Sequence, residues 1–440
     1  MSALPTSWAS CSLLECADFV RGVTYTKGDA LSAGNTGTIP VLRANNIQAQ
    51  TFDWNDLVHV PESLVSKDQE LQIGDVVIAT SSGSLSVVGK AAQVRSEIRA
   101  SFGAFCGVLR PHPQIQARYY GHFFSSAHYR SAVNDLARGV NINNLKRDHF
   151  QAIQIPIAPL AEQKRIADKL DTVLTRVDAV NTRLARVAPL LKRFRQSVLA
   201  AATSGRLTED WRGGRAVNET WRVIPLGKYV ENHDGARVPI SETLRTERRG
   251  AYPYYGASGV IDTIDGFTHE GKFVLIGEDG ANLVTRSKPI AFIATGKIWV
   301  NNHAHVLKCK EGASDEYLAY YINSIDLTPY VSGSAQPKLN QKNLNTIPVP
   351  VPPADEQTEI VRRVETLFAF ADRLEARLAQ AQTAATRLTP ALLAKAFRGE
   401  LVPQDPNDEP AAELLRRLQA ERATAPKASA GRGRKAVVQS

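Results

Sequence analysis

Two stretches decide how this chain is organised: IPIAPLAEQKRIADKLD at 155–171 and VPVPPADEQTEIVRRVE at 349–365. They superpose at a shift of 194 residues, and the register holds without a gap from Leu145/Leu339 through Leu207/Leu401. Along it, Ile153/Ile347, Pro156/Pro350, Pro159/Pro353, Glu162/Glu356, Gln163/Gln357, Asp178/Asp372, Arg183/Arg377 and Gly205/Gly399 are identical pairs. One register held over so long a segment marks an internal repeat. Within it, apolar residues fall at Ile166, Leu170, Val173, Val177, Val180, Leu184, Val187, Leu191, Phe194 and Val198, then again at Ile360, Val364, Leu367, Ala371, Leu374, Leu378, Ala381, Ala385, Leu388 and Leu392. Steps of four and three in alternation are the period of a coiled-coil seam. Proline before each run and Gly205 or Gly399 after it are stop signals. Pro189 and Pro390 are expected to kink each helix or open a shorter second one. The two seams either pack on each other or face separate cores; the small residues Ala381, Ala384 and Ala385 favour close mutual approach.

Outward from these runs the halves align more loosely. Trp8 and Leu13 match Trp221 and Leu226 at a shift of 213; GDVVIATSSG matches GKFVLIGEDG at 197; Val108-Leu109-Arg110 matches Val306-Leu307-Lys308 at 198. Short β-rich runs between Gly, Ser and Asn turns, each followed by an aromatic helical stretch, predict mixed α/β globular parts. The expected division is 1–155 globular, 156–206 long helix, 207–350 globular, 351–400 long helix, and 401–440 a tail. Beyond about Glu421 the tail has an Ala, Gly and Lys/Arg bias that predicts disorder.

The composition is that of a globular protein, with 43% hydrophobic and 22% charged residues among 440, and its net charge of +9 permits nucleic-acid binding without establishing it. No run approaches the roughly 18 apolar residues of a membrane span. The start, MSALPTSWAS, lacks the basic and apolar regions of a secretory signal. The four cysteines form no C-x-x-C pair and no disulfide framework, which points to a reducing cytosol and away from structural zinc.

Signs of catalysis are sparse. There is no Walker loop, no G-x-G-x-x-G before a helix, and no Asn/Asp-Pro-Pro-aromatic tetrad. Glu270-Gly271-Lys272 with Asp262 or Asp265, and Glu278-Asp279, could hold a nuclease metal, but Gly-flanked acids more often make turns. His303 and His305, two apart, would share a strand face as ligands or as a groove-facing pair. What remains is polar and basic loop chemistry of the kind that reads base edges and holds phosphates. The first half offers Arg43, Asn45, Asn46, Ser81, Ser82, Ser84, Lys90, Asn141, Asn143, Asn144, Lys146 and Arg147. The second offers Tyr254, Tyr255, Ser258, Asn282, Arg286, Asn301, Asn302, His303, Gln336, Lys338, Gln341 and Lys342.

The helix starts PLAEQKRIADKLD and PPADEQTEIVRRVE and the helix ends SVLAAATSGRLTEDWR and ALLAKAFRGELVPQDP, each pair found at one spacing, resemble the specificity subunits of type I restriction–modification systems. LRANNI, YPYYGASG and LIGEDG are similar to sequences of that family's target recognition domains. The likeness spans about residues 5 to 415. It implies two α/β target recognition domains related by a pseudo-twofold repeat and separated by two long antiparallel helices in a coiled coil. Each domain would read half of a bipartite site in double-stranded DNA, and the helices would set the spacer and dock two modification (methyltransferase) subunits, onto which restriction subunits assemble. The chain itself would be non-catalytic and hold no cofactor or metal. S-adenosylmethionine would belong to the modification subunits, ATP and Mg to the restriction subunits, and the setting would be the cytoplasm of a bacterium or archaeon. The readings left open beside it are a coiled-coil adaptor with two protein-binding modules and a metal-dependent DNA enzyme.

Overall fold

The computed structural model describes residues 4–33, 35–48, 50–82, 84, 87–139, 144–333 and 335–424. The chain forms two compact units, one from Met1–Arg183 with Gln382–Ser440 and the other from Leu184–Ala381.

In the first unit the strands are β1 (Ala9–Ser12), β2 (Ala17–Arg21), β3 (Thr38–Leu42), β4 (Val58–Pro61), β5 (Val76–Ala79), β6 (Ala91–Gln93), β7 (Ser101–Phe102), β8 (Cys106–Pro111) and β9 (Gln154–Ile157). They make a β2-β8-β5-β6 sheet, a β4-β3-β7 sheet and a β1-β9 pair. In the second unit β10 (Arg222–Pro225) pairs with β17 (Pro348–Val351). The others are β11 (Val230–Asn232), β12 (Tyr252–Gly256), β13 (Gly259–Ile264), β14 (His269–Gly277), β15 (Ala291–Val300) and β16 (Ala304–Cys309), joined in one sheet ordered β11-β16-β14-β15-β12-β13. The repeat explains the difference. β15 is one ten-residue strand, antiparallel to β14 along its length and parallel to β12 near its end, whereas its counterpart is broken into β6 and β7. The parallel contact survives the break, as β3 with β7.

The repeated Glu-Gln helix start has a structural reason. Glu162 accepts the Trp8 indole N–H at 3.0 Å, and Glu356 accepts that of Trp221 at 2.9 Å. Gln163 donates to the Ala158 carbonyl and accepts the Gln116 N–H; Gln357 donates to Pro352 and accepts the Ser314 N–H. Tyr119 and Tyr317 hydroxyls donate to the carbonyls of Pro156 and Pro350. These buried bonds tie the β1-β9 and β10-β17 pairs, with Ala9 opposite Ile157 and Arg222 opposite Val351, to the helix that follows. A buried carboxylate must be partnered to be tolerated, and here the two differ. Glu356 also takes Arg212 at 2.5 Å and Thr208 at 2.7 Å, while the second oxygen of Glu162 is buried without a partner. Burial accordingly pushes the Glu162 carboxyl up, against the opposing pull of Trp8 and Arg165.

The long helices are Leu160–Thr203 and Ala354–Ala396. At 1.5 Å per residue, the first is about 66 Å long. In the first unit Ile166, Leu170 and Leu174 share a core with Leu393, Ala396 and Phe397. In the second, Val198, Leu199 and Ala202 share one with Ile360 and Val364, and Arg195 pairs with Asp372 at 2.6 Å and Glu375 at 3.2 Å. The start of each helix thus meets the end of the other, which makes the pair antiparallel. Of the seam residues, Ile166, Leu170, Val177, Ile360, Val364 and Leu378 are buried, and Val173, Leu184, Leu367 and Leu374 are half-buried; Val180 is 44% exposed and Leu388 45%. The seam is driest where it merges with a globular core.

The helices run through Pro189 and Pro390 without ending; an interior proline costs about 3 kcal/mol, which packing at both helix ends offsets. The region called a tail contains a helix, Ala411–Thr424, whose Ala411, Leu414 and Leu418 join the first unit's core and whose Arg422 binds the Leu14 carbonyl. Residues 425–440 lie outside the described residues. Finally, Cys11 and Cys16 lie side by side, Sγ to Sγ 2.7 Å, as free buried thiols.

Candidate nucleic-acid interface

The two units build the same backbone recess. In the first, the Phe105 carbonyl accepts the N–H groups of Thr80 (2.9 Å) and Ser81 (3.1 Å), the Leu145 N–H donates to Thr80, the Gly103 N–H donates to Leu42, and a β-bridge joins Ser81 to Asn144. In the second, His303 accepts from the Glu278 N–H (2.8 Å), Leu339 donates to Glu278, Asn301 donates to Tyr255, and a β-bridge joins Asp279 to Lys338. Thr80-Ser81 therefore corresponds to Glu278-Asp279 at a shift of 198. The sequence register of 197 was one residue off, a slip that in a strand exchanges the two faces.

In the first unit the recess opens as a cleft of about 640 Å³ lined by Tyr25, Arg43, Asn45, Ser81, Ser82 and Phe105. A neighbouring depression of about 520 Å³ is lined by Arg21, Asn144, Lys146 and Arg147, and shares Thr24 and Ala104 with the first. The structure thus gathers seven of the residues picked from sequence, and adds Arg21, Tyr25 and Phe105. Arg43 is tied to Asp56 by its carbonyl (2.6 Å) and carboxylate (2.9 Å). Asn46 is not at the surface: it is buried, accepting the Arg43 N–H and donating to the Asp53 and Asn55 carbonyls, so it shapes the loop. Lys90 is half-buried outside both depressions and Ser84 is exposed. Asn141 and Asn143 lie outside the described residues.

The second recess is charged. The Arg237 guanidinium donates to Glu278 (2.6 Å) and the Ala304 carbonyl (2.9 Å), and Lys338 reaches Glu278 at 3.2 Å. Asp234 lies 2.6 Å from His305 Nδ1 and accepts the Val306 N–H at 2.7 Å. Burial works to raise the Asp234 and Glu278 carboxyls, but His305 beside the one and Arg237, His305 and Lys338 beside the other hold both below the usual range. Sequence reading passed over Asp234 and Arg237, since nothing in HDGARV signals which strand it meets. The two histidines do not share a strand face. His305 is buried in β16, its other nitrogen 2.8 Å from the Leu339 carbonyl, whereas His303 stands in the preceding turn beside Asp279.

Asn302 and Gln336 are exposed in this unit's loops, Gln341 and Lys342 are exposed at the start of the helix Gln341–Thr346, and Ser258 sits in the β12–β13 turn. Other predicted readers are spent internally. Tyr254 is buried, bonded through its hydroxyl to the Ile240 backbone with Arg245 over its ring, and Tyr255 stacks on Phe292. Asn282 holds the Lys288 backbone, Asn301 accepts the His303 N–H, and Arg286, whose burial lowers its pKa, donates to the Asn323 carbonyl. Tyr254 carries the consequence of β-register, since its side chain falls on the packed face, and Asn301, one residue past β15, is buried as well.

The acids proposed for a metal are dispersed: Asp262 pairs with Arg245, Asp265 with Arg248, and Lys272 with Glu316. Among the described residues no three His, Cys, Asp or Glu side chains converge as a metal-binding group, and no helix is long and apolar enough to cross a membrane.

Comparison with known proteins bears on both units. Residues 5–188 and 218–382 match the family model described as type I restriction modification DNA specificity domain. The chain is 39% identical over 96% of both lengths to the StySPI specificity subunit of Salmonella potsdam, and 36% identical over 96% of both to the EcoKI specificity subunit of Escherichia coli K12. Among solved structures, a chain from work on complex assembly and conformational transition of the type I R-M system matches 91% of this chain with a TM-score of 0.70 at 20% identity. The HsdS subunit from Thermoanaerobacter tengcongensis matches 90% with a TM-score of 0.60 at 19%. At those identities the structures speak for the fold.

Proposed function

The chain belongs to the type I restriction–modification DNA specificity family, and from that premise we propose that its two recesses read the two halves of one bipartite DNA target. It is a specificity subunit with two target recognition domains, the non-catalytic part of its system. The observation that carries the proposal is one backbone recess built twice with different side chains, as two readers of unlike half-sites require. In the first, Asn45, Asn144, Ser81 and Ser82 offer hydrogen bonds to base edges while Arg21, Lys146 and Arg147 meet phosphates; in the second, Asn302, His303, Lys338, Gln341 and Lys342 do so. The long helices act as the ruler for the unread spacer and as the docking surface for two modification subunits, which bind S-adenosylmethionine. Restriction subunits, using ATP and Mg, complete the complex in the cytoplasm.

Co-expression with a type I modification (methyltransferase) subunit, followed by mapping of methylated adenines across the host genome, tests this. The expected result is one chain-dependent bipartite motif. Inserting one heptad into each long helix adds about 10.5 Å of rise, so the spacer lengthens by about three base pairs at 3.4 Å each, with both half-sites unchanged. Methylation independent of the chain overturns the function, and an unchanged spacer overturns the ruler.

A further inference from the structure

Each recess ends in a two-residue turn at the entry to its central strand: Ala104-Phe105 before β8 and Asn302-His303 before β16. The second residue of the turn is clamped through its carbonyl by the facing strand end, at Thr80 in one unit and Glu278 in the other. The Thr80 hydroxyl adds a further bond to Phe105 at 3.0 Å. This backbone is therefore fixed, yet the side chains it fixes point outward.

Phe105 is 68% exposed, the most exposed of the chain's phenylalanines at the lip of a cleft. Leaving a phenylalanine in water forgoes the burial that ordinarily places it in a core. It makes no ring contact among the described residues. Around it stand Tyr25, Arg43, Asn45, Ser81 and Ser82, an apolar tip within a hydrogen-bonding rim.

His303 is presented differently. Its Nδ1 lies 3.0 and 2.8 Å from the two oxygens of Asp279, and its side chain is 48% exposed. A carboxylate only accepts, so Nδ1 carries the proton and the ring is oriented with Nε2 outward. Asp279 replaces Ser81 of the first unit, so the orienting group and the oriented ring differ together between the two recesses.

We propose that this single turn position is a specificity determinant in both domains. Phe105 reads a base of one half-site by apolar contact, of the kind a thymine methyl provides, and His303 reads the edge of a base in the other half-site through Nε2. Asp279 is the positioning residue for His303. The inference rests on the reading of the chain as a two-domain DNA specificity subunit, and it adds which residues discriminate.

The test uses the full chain in complex with its modification subunit and reads the methylated motif. Phe105→Ala is expected to lower discrimination at one base pair of one half-site by roughly 10- to 100-fold, leaving the other half-site and the spacer unchanged. His303→Ala is expected to relax one base pair in the opposite half, and Asp279→Asn to relax that same base pair without touching the Phe105 half. If Phe105→Ala abolishes methylation, Phe105→Leu decides: methylation restored with one degenerate position supports the inference, and restored wild-type specificity or continued loss overturns it. Unchanged motifs, or both half-sites degraded by either substitution, also overturn it. Absence of any chain-dependent motif for the unsubstituted protein would instead strike the underlying reading.

Discussion

The two recesses share their backbone bonds and almost none of their side-chain chemistry. In the first, Thr80 and Ser81 leave the strand end neutral, and the cleft is shaped by Phe105, Tyr25 and small hydroxyls. In the second, the same two positions are Glu278 and Asp279, and each carboxylate is matched, by Arg237 and Lys338 or by His303. The lesson is that the recess is held by main-chain hydrogen bonds, which any residue can make, so its side chains are free to differ. The helix starts behave oppositely. There Glu, Gln, Trp and Tyr bond through their side chains, and the identities recur.

The strongest way to break the comparison lies at those helix starts. Glu356→Gln leaves Arg212 buried without its counter-charge and is expected to destabilise the second unit by about 3–5 kcal/mol. Glu162→Gln keeps the acceptor for Trp8 and removes a carboxylate that burial already disfavours. Its stability should stay within about 1 kcal/mol of the unsubstituted chain, on the stabilising side. Calorimetric unfolding of the two variants checks this, and equal losses would show that the buried guanidinium is immaterial.

Acid sharpens the difference between the recesses. Asp234 and Glu278 have folded pKa values below their unfolded ones, so their contribution is complete above the ordinary carboxylate value of about 4 and is lost as pH falls through the depressed values. The second recess should lose local stability there, and the first should not. Hydrogen exchange of the Val306 amide, corrected for intrinsic rate, reports it; the Val108 amide of the first unit should not follow.

The smallest effect concerns phosphate. Lys146→Ala or Arg147→Ala should each reduce the slope of log affinity against log salt by about 1, uniformly across target sequences. Lys338→Ala should change it less, because Lys338 already neutralises Glu278. Binding titrations at several salt concentrations distinguish the two, and a sequence-dependent loss would make Lys146 or Arg147 a base reader.

Much of the architecture was legible because it is periodic or repeated. The four-three spacing gave both long helices, and the constant shift of 194 gave the repeat. Asn45, Asn144, Lys146 and Arg147 line the two depressions of the first unit. Tyr254 and Asn301 are buried instead, because whether a side chain in or beside a strand faces the groove or the core depends on pairing with strands distant in sequence; Asn46 is buried because it is bonded to the Arg43, Asp53 and Asn55 backbone of its own loop. Asp234 and Arg237 escaped for the same reason: their partners lie about 40 to 70 residues away. The helix Ala411–Thr424 was missed because its apolar face is completed only by the core around Leu14 and Phe397.

By itself, then, the sequence determined the repeat, the two long helices and the α/β character of what lies between them, since local periodicity and composition are written in consecutive residues. Tertiary structure alone decided that Thr80-Ser81 and Glu278-Asp279 are the matching strand ends, that Glu356 has a buried arginine beside its indole donor while Glu162 has the indole alone, and that Phe105 and His303 face outward. Those facts depend on strand register and on contacts between distant segments, and a one-residue slip, invisible in composition, reverses which side chains meet solvent.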